Sequence, residues 1–225
     1  MTMPDDEDQH FGDYASPPCF MHELDPAYLG TSAEQHRDVQ RWRKAERQRL
    51  ITKRLALCAD DRQHAAVRIA RLLDSVIGDP SGTIISGYWP YRGEPDLRAW
   101  LGLVHARGGR CALPVVTAAD AALAFRLWRP GDRMTRGALG IPIPVATEEV
   151  RPDIVIAPVV GFDDDGYRLG YGGGFFDRTL ARMPGLRQAI GVGYSAARIS
   201  TIYPRPHDIP MSLIVTEIAA HRPRR

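Results

Sequence analysis

Short apolar segments alternate with segments of helical periodicity from residue 78 onward, and this alternation restricts the fold more than any other feature. Alternating strands and helices are typical of a largely parallel sheet that helices cover on both faces. We therefore predict an α/β fold of this kind, with functional sites in the loops at the carboxyl ends of strands. The predicted strands are Thr83–Tyr88, Cys111–Val116, Leu123–Trp128, Ile154–Val160, Ala189–Tyr194 and Leu213–Thr216, and the predicted helices among them are Pro95–Ala106 and Phe176–Arg182.

Two longer helices are predicted ahead of this region. The first runs from Ser32, a suitable N-cap, to Leu57, and the second covers Asp60–Ile77 with apolar residues at helical spacing. Residues 1–31 are acidic and polar without clear periodicity, so we predict an irregular N-terminal extension there. Residues 32–225 are then a single domain, since this length suffices for one well-filled core.

Charge and cysteine usage favour a soluble enzyme of small molecules. The net charge of +2 provides no strong field for nucleic acid or membrane, and the basic run at residues 37–54 has only Trp42 for base stacking. Three scattered cysteines indicate a reducing, cytoplasmic setting, and we expect a monomer or homodimer. Cys19 and His22 have the spacing of two zinc ligands, but a second pair is missing, so a packed apolar anchor is the favoured alternative.

The strongest local signal is the segment RLGYGGGFFD at residues 168–177, which follows a buried strand and leads into a helix. Its four glycines let successive backbone N–H groups face one concavity that binds anions. Arg168 adds a full positive charge, and Asp177 is a hard oxygen ligand for Mg²⁺. The pattern matches neither the Walker A motif nor the dinucleotide fingerprint, so a plain glycine-rich turn is the alternative.

With its surroundings, this segment resembles the signature of the 5-formyltetrahydrofolate cyclo-ligase family (5,10-methenyltetrahydrofolate synthetases). The resemblance extends in order over roughly residues 40–217. The RLGYGGGFFDR stretch is its most specific part. The other matching pieces are the basic first helix, Tyr88–Glu94, Leu113–Val116, Gly140–Pro142, Gly191–Tyr194, His207–Asp208 and Ile214–Thr216.

The resemblance implies an ATP- and Mg²⁺-dependent ligase that converts 5-formyltetrahydrofolate to 5,10-methenyltetrahydrofolate, ADP and phosphate. Arg43 and Arg47 match family positions that reach the ATP phosphates, although the family usually has Lys at the first position. Their i, i+4 spacing puts both on one helix face, and a solvated basic face is the alternative. The implied ATP-binding residues are Arg43, Arg47, Arg168, Leu169, Gly170, Tyr171, Gly172, Gly173, Gly174, Phe175 and Phe176.

Further site residues are implied in the same way. Arg168 and Asp177 are the implied catalytic pair, and Asp177 and Asp208 match the family's Mg²⁺ ligands, with turn capping as the alternative for Asp208. Glu94 would accept from the N–H edge of the pterin, and Trp89 would pack on it, although a tryptophan here is also typical of a core. The implied substrate-binding residues are Trp89, Glu94, Tyr171 and Phe175.

Several polar positions of the family pattern are apolar or altered here. Phe175-Phe176 stand where the family usually has two tyrosines, and Ile143, Ala197 and Ser212 replace a Glu, a Gln and an Asp. An unpaired polar edge of a buried substrate costs roughly 1–3 kcal/mol. Two alternatives therefore stay open: a paralogue that activates a different small molecule with ATP, and a non-catalytic protein that binds nucleotide or folate.

Overall fold

The computed structural model describes residues 33–224, which fall into two compact units divided between Arg49 and Leu50. The division lies within the first helix, α1 (Ala33–Leu55), so the first unit is described here only by the part of α1 up to Arg49. The predicted boundary at residues 31/32, the irregular extension and the Cys19–His22 pair lie outside the described residues.

The second unit is an α/β structure built around a seven-stranded sheet. The strand order is β11-β10-β9-β6-β1-β2-β3, in which β10, β9, β6, β1 and β2 are mutually parallel and β11 and β3 pair antiparallel at the two edges. The sheet strands are β1 (Ile84–Ser86), β2 (Arg110–Val115), β3 (Ala124–Trp128), β6 (Ile154–Pro158), β9 (Gln188–Val192), β10 (Leu213–Val215) and β11 (Ala220–His221). The prediction of a largely parallel sheet is confirmed.

Helices cover both faces of the sheet, as predicted. Ile154 and Ile156 of β6 belong to a buried cluster with α2 (Ala59–Ile77) and α3 (Arg98–Ala106). The intervening Val155 and Ala157 belong to a second cluster, which contains Leu180 of α4 (Phe175–Ala181). Because side chains of a strand alternate between faces, these two clusters are the two sides of the sheet. In the described part of the chain, no helix is long and apolar enough to cross a membrane.

Three short elements were not predicted. Two are hairpins outside the main sheet, β4 (Met134–Arg136) with β5 (Pro142–Pro144) and β7 (Gly161–Phe162) with β8 (Arg168–Leu169). The third is the edge strand β11, which has only two residues. Such elements are too short for a periodic pattern, so only their pairing in the folded chain reveals them.

Candidate active site

The glycine-rich segment follows β6 by way of the β7–β8 hairpin, and its Leu169 accepts a hydrogen bond from Val160, just beyond the carboxyl end of β6. It leaves β8 at Leu169, passes through four glycines and enters α4 at Phe175. Gly172 and Gly174 have φ angles of 99° and 64°, which residues with a Cβ atom adopt at a cost, so these two positions require glycine. The segment is therefore a tight loop rather than an extension of either neighbouring element.

Arg168, Asp177 and Asp208 meet at one end of this loop and are called here the Arg168 cluster. The guanidinium of Arg168 is buried, and its Nη2 lies 2.8 Å from Oδ1 of Asp177. Its Nη1 donates to the carbonyl of Ile209 at 2.9 Å, and the amide of Ile209 donates to Oδ1 of Asp177 at 3.0 Å. Asp208 directly precedes Ile209, so the structure brings all three predicted residues together.

The guanidinium of Arg168 is buried beside two carboxylates and has a donor that is not fully used. Burial lowers the pKa of the Arg168 guanidinium, whereas the carboxylates of Asp177 and Asp208 act in the opposite direction. Among the described residues, Nη2 finds no hydrogen-bond acceptor with good geometry, although it forms a short ion pair with Asp177. A buried donor of this kind has unused capacity for a ligand oxygen. Since α4 has only seven residues, Arg168 is the stronger source of positive charge here.

The same cluster has the chemistry of a Mg²⁺ site that a nucleotide completes. The described residues contain no group of three or more metal-ligating side chains. Mg²⁺ commonly binds one or two carboxylates and takes its other ligands from water and substrate phosphates. Asp177 and Asp208 supply this number of carboxylates, while Arg168 lies beside them to contact phosphate. The donor set thus fits Mg²⁺ bound together with ATP.

Arg54, Tyr171 and Glu94 form a second group, the Glu94 cluster. Tyr171, in the middle of the glycine-rich loop, donates its hydroxyl to Oε1 of Glu94 at 2.9 Å. Nη2 of Arg54 donates to the same hydroxyl at 2.5 Å, and the amide of Tyr91 donates to Oε2 of Glu94 at 2.9 Å. Both carboxylate oxygens are therefore held in place, and the tyrosine lies between a cation and an acid.

The carboxyl group of Glu94 titrates far from its ordinary range. Its side chain is buried, and burial raises the pKa from 4.5 to about 7, although Arg54 and the hydrogen bonds from Tyr91 and Tyr171 act in the opposite direction. A carboxyl with such a pKa is present in both protonation states near neutral pH. Glu94 is therefore suited to hydrogen bonding with a heterocycle, either as an acceptor or as a donor.

The remaining predicted substrate residues lie around these clusters. The ring of Trp89 is partly buried against Trp128, at 6.4 Å between ring centroids, and Arg98 stacks on it at 4.7 Å. Phe175 is stacked by Arg178 at 5.0 Å. Phe176 packs against the second core cluster and lies 5.7 Å from the Arg168 guanidinium. Trp89 thus packs against the core, and its interpretation as a substrate-binding residue stays a prediction.

Arg43 and Arg47 lie one turn apart on α1, in the first unit. Their spacing puts both side chains on one face of the helix. The interpretation of this pair as ATP ligands stays a prediction.

A comparison with known families identifies what kind of chain carries these clusters. The model of the 5-formyltetrahydrofolate cyclo-ligase family matches residues 39–217, which include both clusters. The chain belongs to this family. The resemblance seen in the glycine-rich segment is thereby confirmed over most of the sequence.

Individual members of the cyclo-ligase family match more than half of this chain. The chain is 31% identical over 144 residues to a 5-formyltetrahydrofolate cyclo-ligase of Mycolicibacterium smegmatis, covering 60% of this chain and 74% of the relative. It is 30% identical over 161 residues to the 5-formyltetrahydrofolate cyclo-ligase of Escherichia coli K12, covering 68% of this chain and 86% of the relative.

Solved structures agree with the cyclo-ligase assignment. The 5,10-methenyltetrahydrofolate synthetase of Aquifex aeolicus superposes with a TM-score of 0.70 at 30% identity, over 81% of this chain and 93% of that one. A 5,10-methenyltetrahydrofolate synthetase of Mycoplasma pneumoniae has a TM-score of 0.64 at 24% identity, over 78% of this chain and 98% of that one, and supports the fold alone.

The positions that depart from the family pattern are spread over the second unit. Ile143 lies on β5, and its side chain occupies the space that a side chain at position 137 would need, beside Gly137. Ala197 packs against the second core cluster. The hydroxyl of Ser212 accepts a hydrogen bond from the amide of Ala189 at 3.2 Å, next to the start of β9. Because β9 and β10 are parallel, Ser212 lies at the sheet edge opposite to the strand ends where the glycine-rich loop begins.

Arg54 is the site residue that sequence reasoning missed. It was visible only as one of eight basic residues between Arg37 and Arg54. A signal was nevertheless present: Arg54 follows Arg47 by seven residues, two helical turns, so the two share a face of α1. Spacing cannot indicate that Arg54 is buried beside Glu94, since that contact joins residues 40 positions apart in the chain.

Proposed function

We propose that this protein is an ATP- and Mg²⁺-dependent 5-formyltetrahydrofolate cyclo-ligase, which forms 5,10-methenyltetrahydrofolate, ADP and phosphate. The observation that carries the proposal is the position of the glycine-rich loop. One loop contributes Arg168 to a cation-and-carboxylate cluster and Tyr171 to a buried acid cluster. Phosphoryl transfer to a heterocyclic substrate needs these two environments side by side.

In this reaction the formyl oxygen attacks the γ-phosphorus of ATP, and the bond to ADP breaks. N10 of the folate then forms a bond to the activated formyl carbon and loses its proton. The carbon–oxygen bond breaks, and phosphate departs with the oxygen. Both steps move negative charge among phosphate oxygens, so the enzyme contributes cations and fixed donors more than a nucleophile.

The residues of the Arg168 cluster would serve the phosphates. Arg168 would donate to the transferred phosphoryl group from its buried, incompletely bonded Nη2. Asp177 and Asp208 would hold Mg²⁺, which supplies charge neutralisation when bound. The loop amides near Gly172 and Gly174 would bind further phosphate oxygens. This set of residues would fix the phosphates without forming a covalent link to either substrate.

The residues of the Glu94 cluster would orient the folate. Glu94 would hydrogen-bond to the N–H edge of the pterin, and Trp89 and Phe175 would provide flat apolar surface. Orientation matters because N10 attacks only when it lies close to the formyl carbon.

The direct experiment measures absorbance of the methenyl product from 5-formyltetrahydrofolate with Mg-ATP. We expect turnover by the native enzyme and a loss of about a hundredfold or more in Asp177→Ala, because the cluster loses a metal ligand and a charge. Asp164→Ala is the matched control, since Asp164 lies in the turn of the neighbouring β7–β8 hairpin and pairs with the exposed Arg198. A folded protein without turnover at high concentrations of both substrates would contradict the proposal.

A second candidate is a family paralogue that activates a different amide or carboxylate with ATP. It is favoured by Ile143, an apolar residue at a position where the family has Glu. Phosphate release from ATP with a panel of such compounds, but not with 5-formyltetrahydrofolate, would select it.

A further inference from the structure

The two clusters are joined through one short stretch of backbone. Arg168 and Tyr171 are three residues apart, with Leu169 and Gly170 between them. Leu169 is fully buried, and its carbonyl accepts the amide of Val160 at 2.9 Å. Leu169 anchors this stretch in the core, and only Gly170 separates the anchor from Tyr171, so the positions of Arg168 and Tyr171 are geometrically linked.

At the other end, Arg54 connects Tyr171 to two further segments. Its Nε donates to the carbonyl of Arg92 at 2.9 Å, and its Nη1 lies 3.5 Å from the carbonyl of Val159. Arg92 has a φ of 46°, an unfavourable angle for a residue with a side chain, so this contact stabilises a strained turn beside Glu94. The buried guanidinium of Arg54 thus holds the Glu94 turn, the exit of β6 and the glycine-rich loop in one arrangement.

We infer that the hydroxyl of Tyr171, bonded between Arg54 and Glu94, couples the two substrate sites, so that nucleotide and folate each bind more tightly in the presence of the other. Arg54 is a positioning residue in this arrangement, since it acts through Tyr171 and Glu94. The inference rests on the proposed function for the identity of both ligands.

The physical reason is that one conformation of the loop serves both sites. About 39% of Tyr171 is exposed, so its hydroxyl bonds to Arg54 and Glu94 contribute much of what holds it in position. A nucleotide that binds the loop glycines also restricts Tyr171. The second ligand then meets a Tyr171 side chain that is already ordered and does not bear the entropic cost of ordering it, and the reverse holds equally.

Calorimetry tests the coupling directly. Dissociation constants of a non-hydrolysable ATP analogue with Mg²⁺ are measured with and without 5-formyltetrahydrofolate. We expect the native enzyme to bind the analogue about fivefold to tenfold more tightly when the folate is present. In Tyr171→Phe the ratio should fall to nearly one. Tyr167→Phe is the matched control, because within the described residues the Tyr167 hydroxyl has no hydrogen-bond partner, and its ratio should equal the native one.

Hydrogen–deuterium exchange tests the same inference without the folate. The ATP analogue alone should slow exchange of the amides of residues 91–94, in the turn at residues 90–94, in the native enzyme and in Tyr167→Phe, but not in Tyr171→Phe or Arg54→Met. Equal protection of this turn in the native enzyme and Tyr171→Phe would overturn the inference, as would a native coupling ratio of one.

The two measurements also separate this inference from the proposed function. If the folate does not bind but the analogue protects residues 90–94 through Tyr171, the coupling stands and the second substrate is a different molecule. If the folate is turned over but coupling does not depend on Tyr171, the function stands and the inference is wrong.

Discussion

The Arg168 cluster and the Glu94 cluster differ in how their charges are balanced. In the first, a buried cation lies 2.8 Å from Oδ1 of Asp177, which also accepts a hydrogen bond from the amide of Ile209. In the second, Arg54 donates to Tyr171 and not directly to Glu94, and burial raises the pKa of the acid to about 7. Asp177 thus forms a direct ion pair with a guanidinium. Glu94 is connected to its neighbouring guanidinium only through the Tyr171 hydroxyl, and it is present in both protonation states near neutral pH.

The two acids are therefore expected to have opposite effects on stability. Removing the charge of Asp177 leaves a buried guanidinium with less compensation, which is costly. Removing the charge of Glu94 eliminates a group whose ionised form is unfavourable in its surroundings. Variants of the two clusters test this difference.

The largest expected effect on stability is that of Asp177→Ala, which should lower the free energy of unfolding by about 3 kcal/mol. Asp177→Asn retains an acceptor for the amide of Ile209 and isolates the contribution of charge. Chemical denaturation at pH 7 gives both values. Asp164→Asn, which disrupts the exposed pair with Arg198, should cost less than about 1 kcal/mol. A cost for Asp177→Ala no larger than this would mean that Arg168 finds other compensation.

Glu94→Gln should change the pH dependence of stability. Because the folded pKa of Glu94 is raised, the folded state binds the proton more tightly than the unfolded state does. The resulting stabilisation is complete below pH 4.5 and is lost as pH rises through about 7. The difference in free energy of unfolding, native minus Glu94→Gln, should therefore fall by about 3 kcal/mol over this interval. A difference that rises with pH would show that Glu94 is an ordinary paired carboxylate.

Arg54→Lys should lower the free energy of unfolding by about 2 kcal/mol, because an ammonium cannot reproduce the fork that reaches Arg92, Val159 and Tyr171. The control is Arg110→Lys, whose pair with Glu148 is exposed and should contribute little. Thermal denaturation of both variants against the native protein measures the contrast. Equal melting temperatures for the two variants would rule out a special role for the Arg54 fork.

The smallest expected effect is that of restoring a family hydroxyl. Phe175→Tyr should change KM for the folate by less than about threefold, since the ring stays stacked on Arg178 and gains only an edge hydroxyl. Steady-state kinetics at saturating ATP gives the value. An improvement of tenfold or more would indicate that the native site lacks a donor that the substrate requires.

The sheet was predictable because its strands coincide with short apolar runs in the sequence. The alternation of Ile154 and Ile156 with Val155 and Ala157 needs both faces covered, and this alone favours an α/β fold. The hairpins at β4–β5 and β7–β8 have two or three residues a strand and carry no such pattern. Their existence depends on pairing between segments, which local sequence does not express.

The same distinction divides the candidate site. Arg168, Asp177 and the glycines were predictable because they follow each other in one motif, and Asp208 because the family pattern includes it. Arg54 was not identified as a site residue because its role depends on burial next to Tyr171 and Glu94, which are 117 and 40 positions away in the chain. The local sequence around a basic residue in a basic run does not indicate whether that residue is buried or exposed to solvent.

The three-residue interval between Arg168 and Tyr171 also sets a length scale for the chemistry. Three residues of fully extended chain span at most about 11 Å, so the Cα atoms of Arg168 and Tyr171 cannot be farther apart than this. In the proposed function, this stretch of backbone connects the residues for phosphate with those for the pterin. An insertion of one residue in this interval would lengthen that connection without replacing any of these side chains, so we expect the length of the loop to influence catalysis.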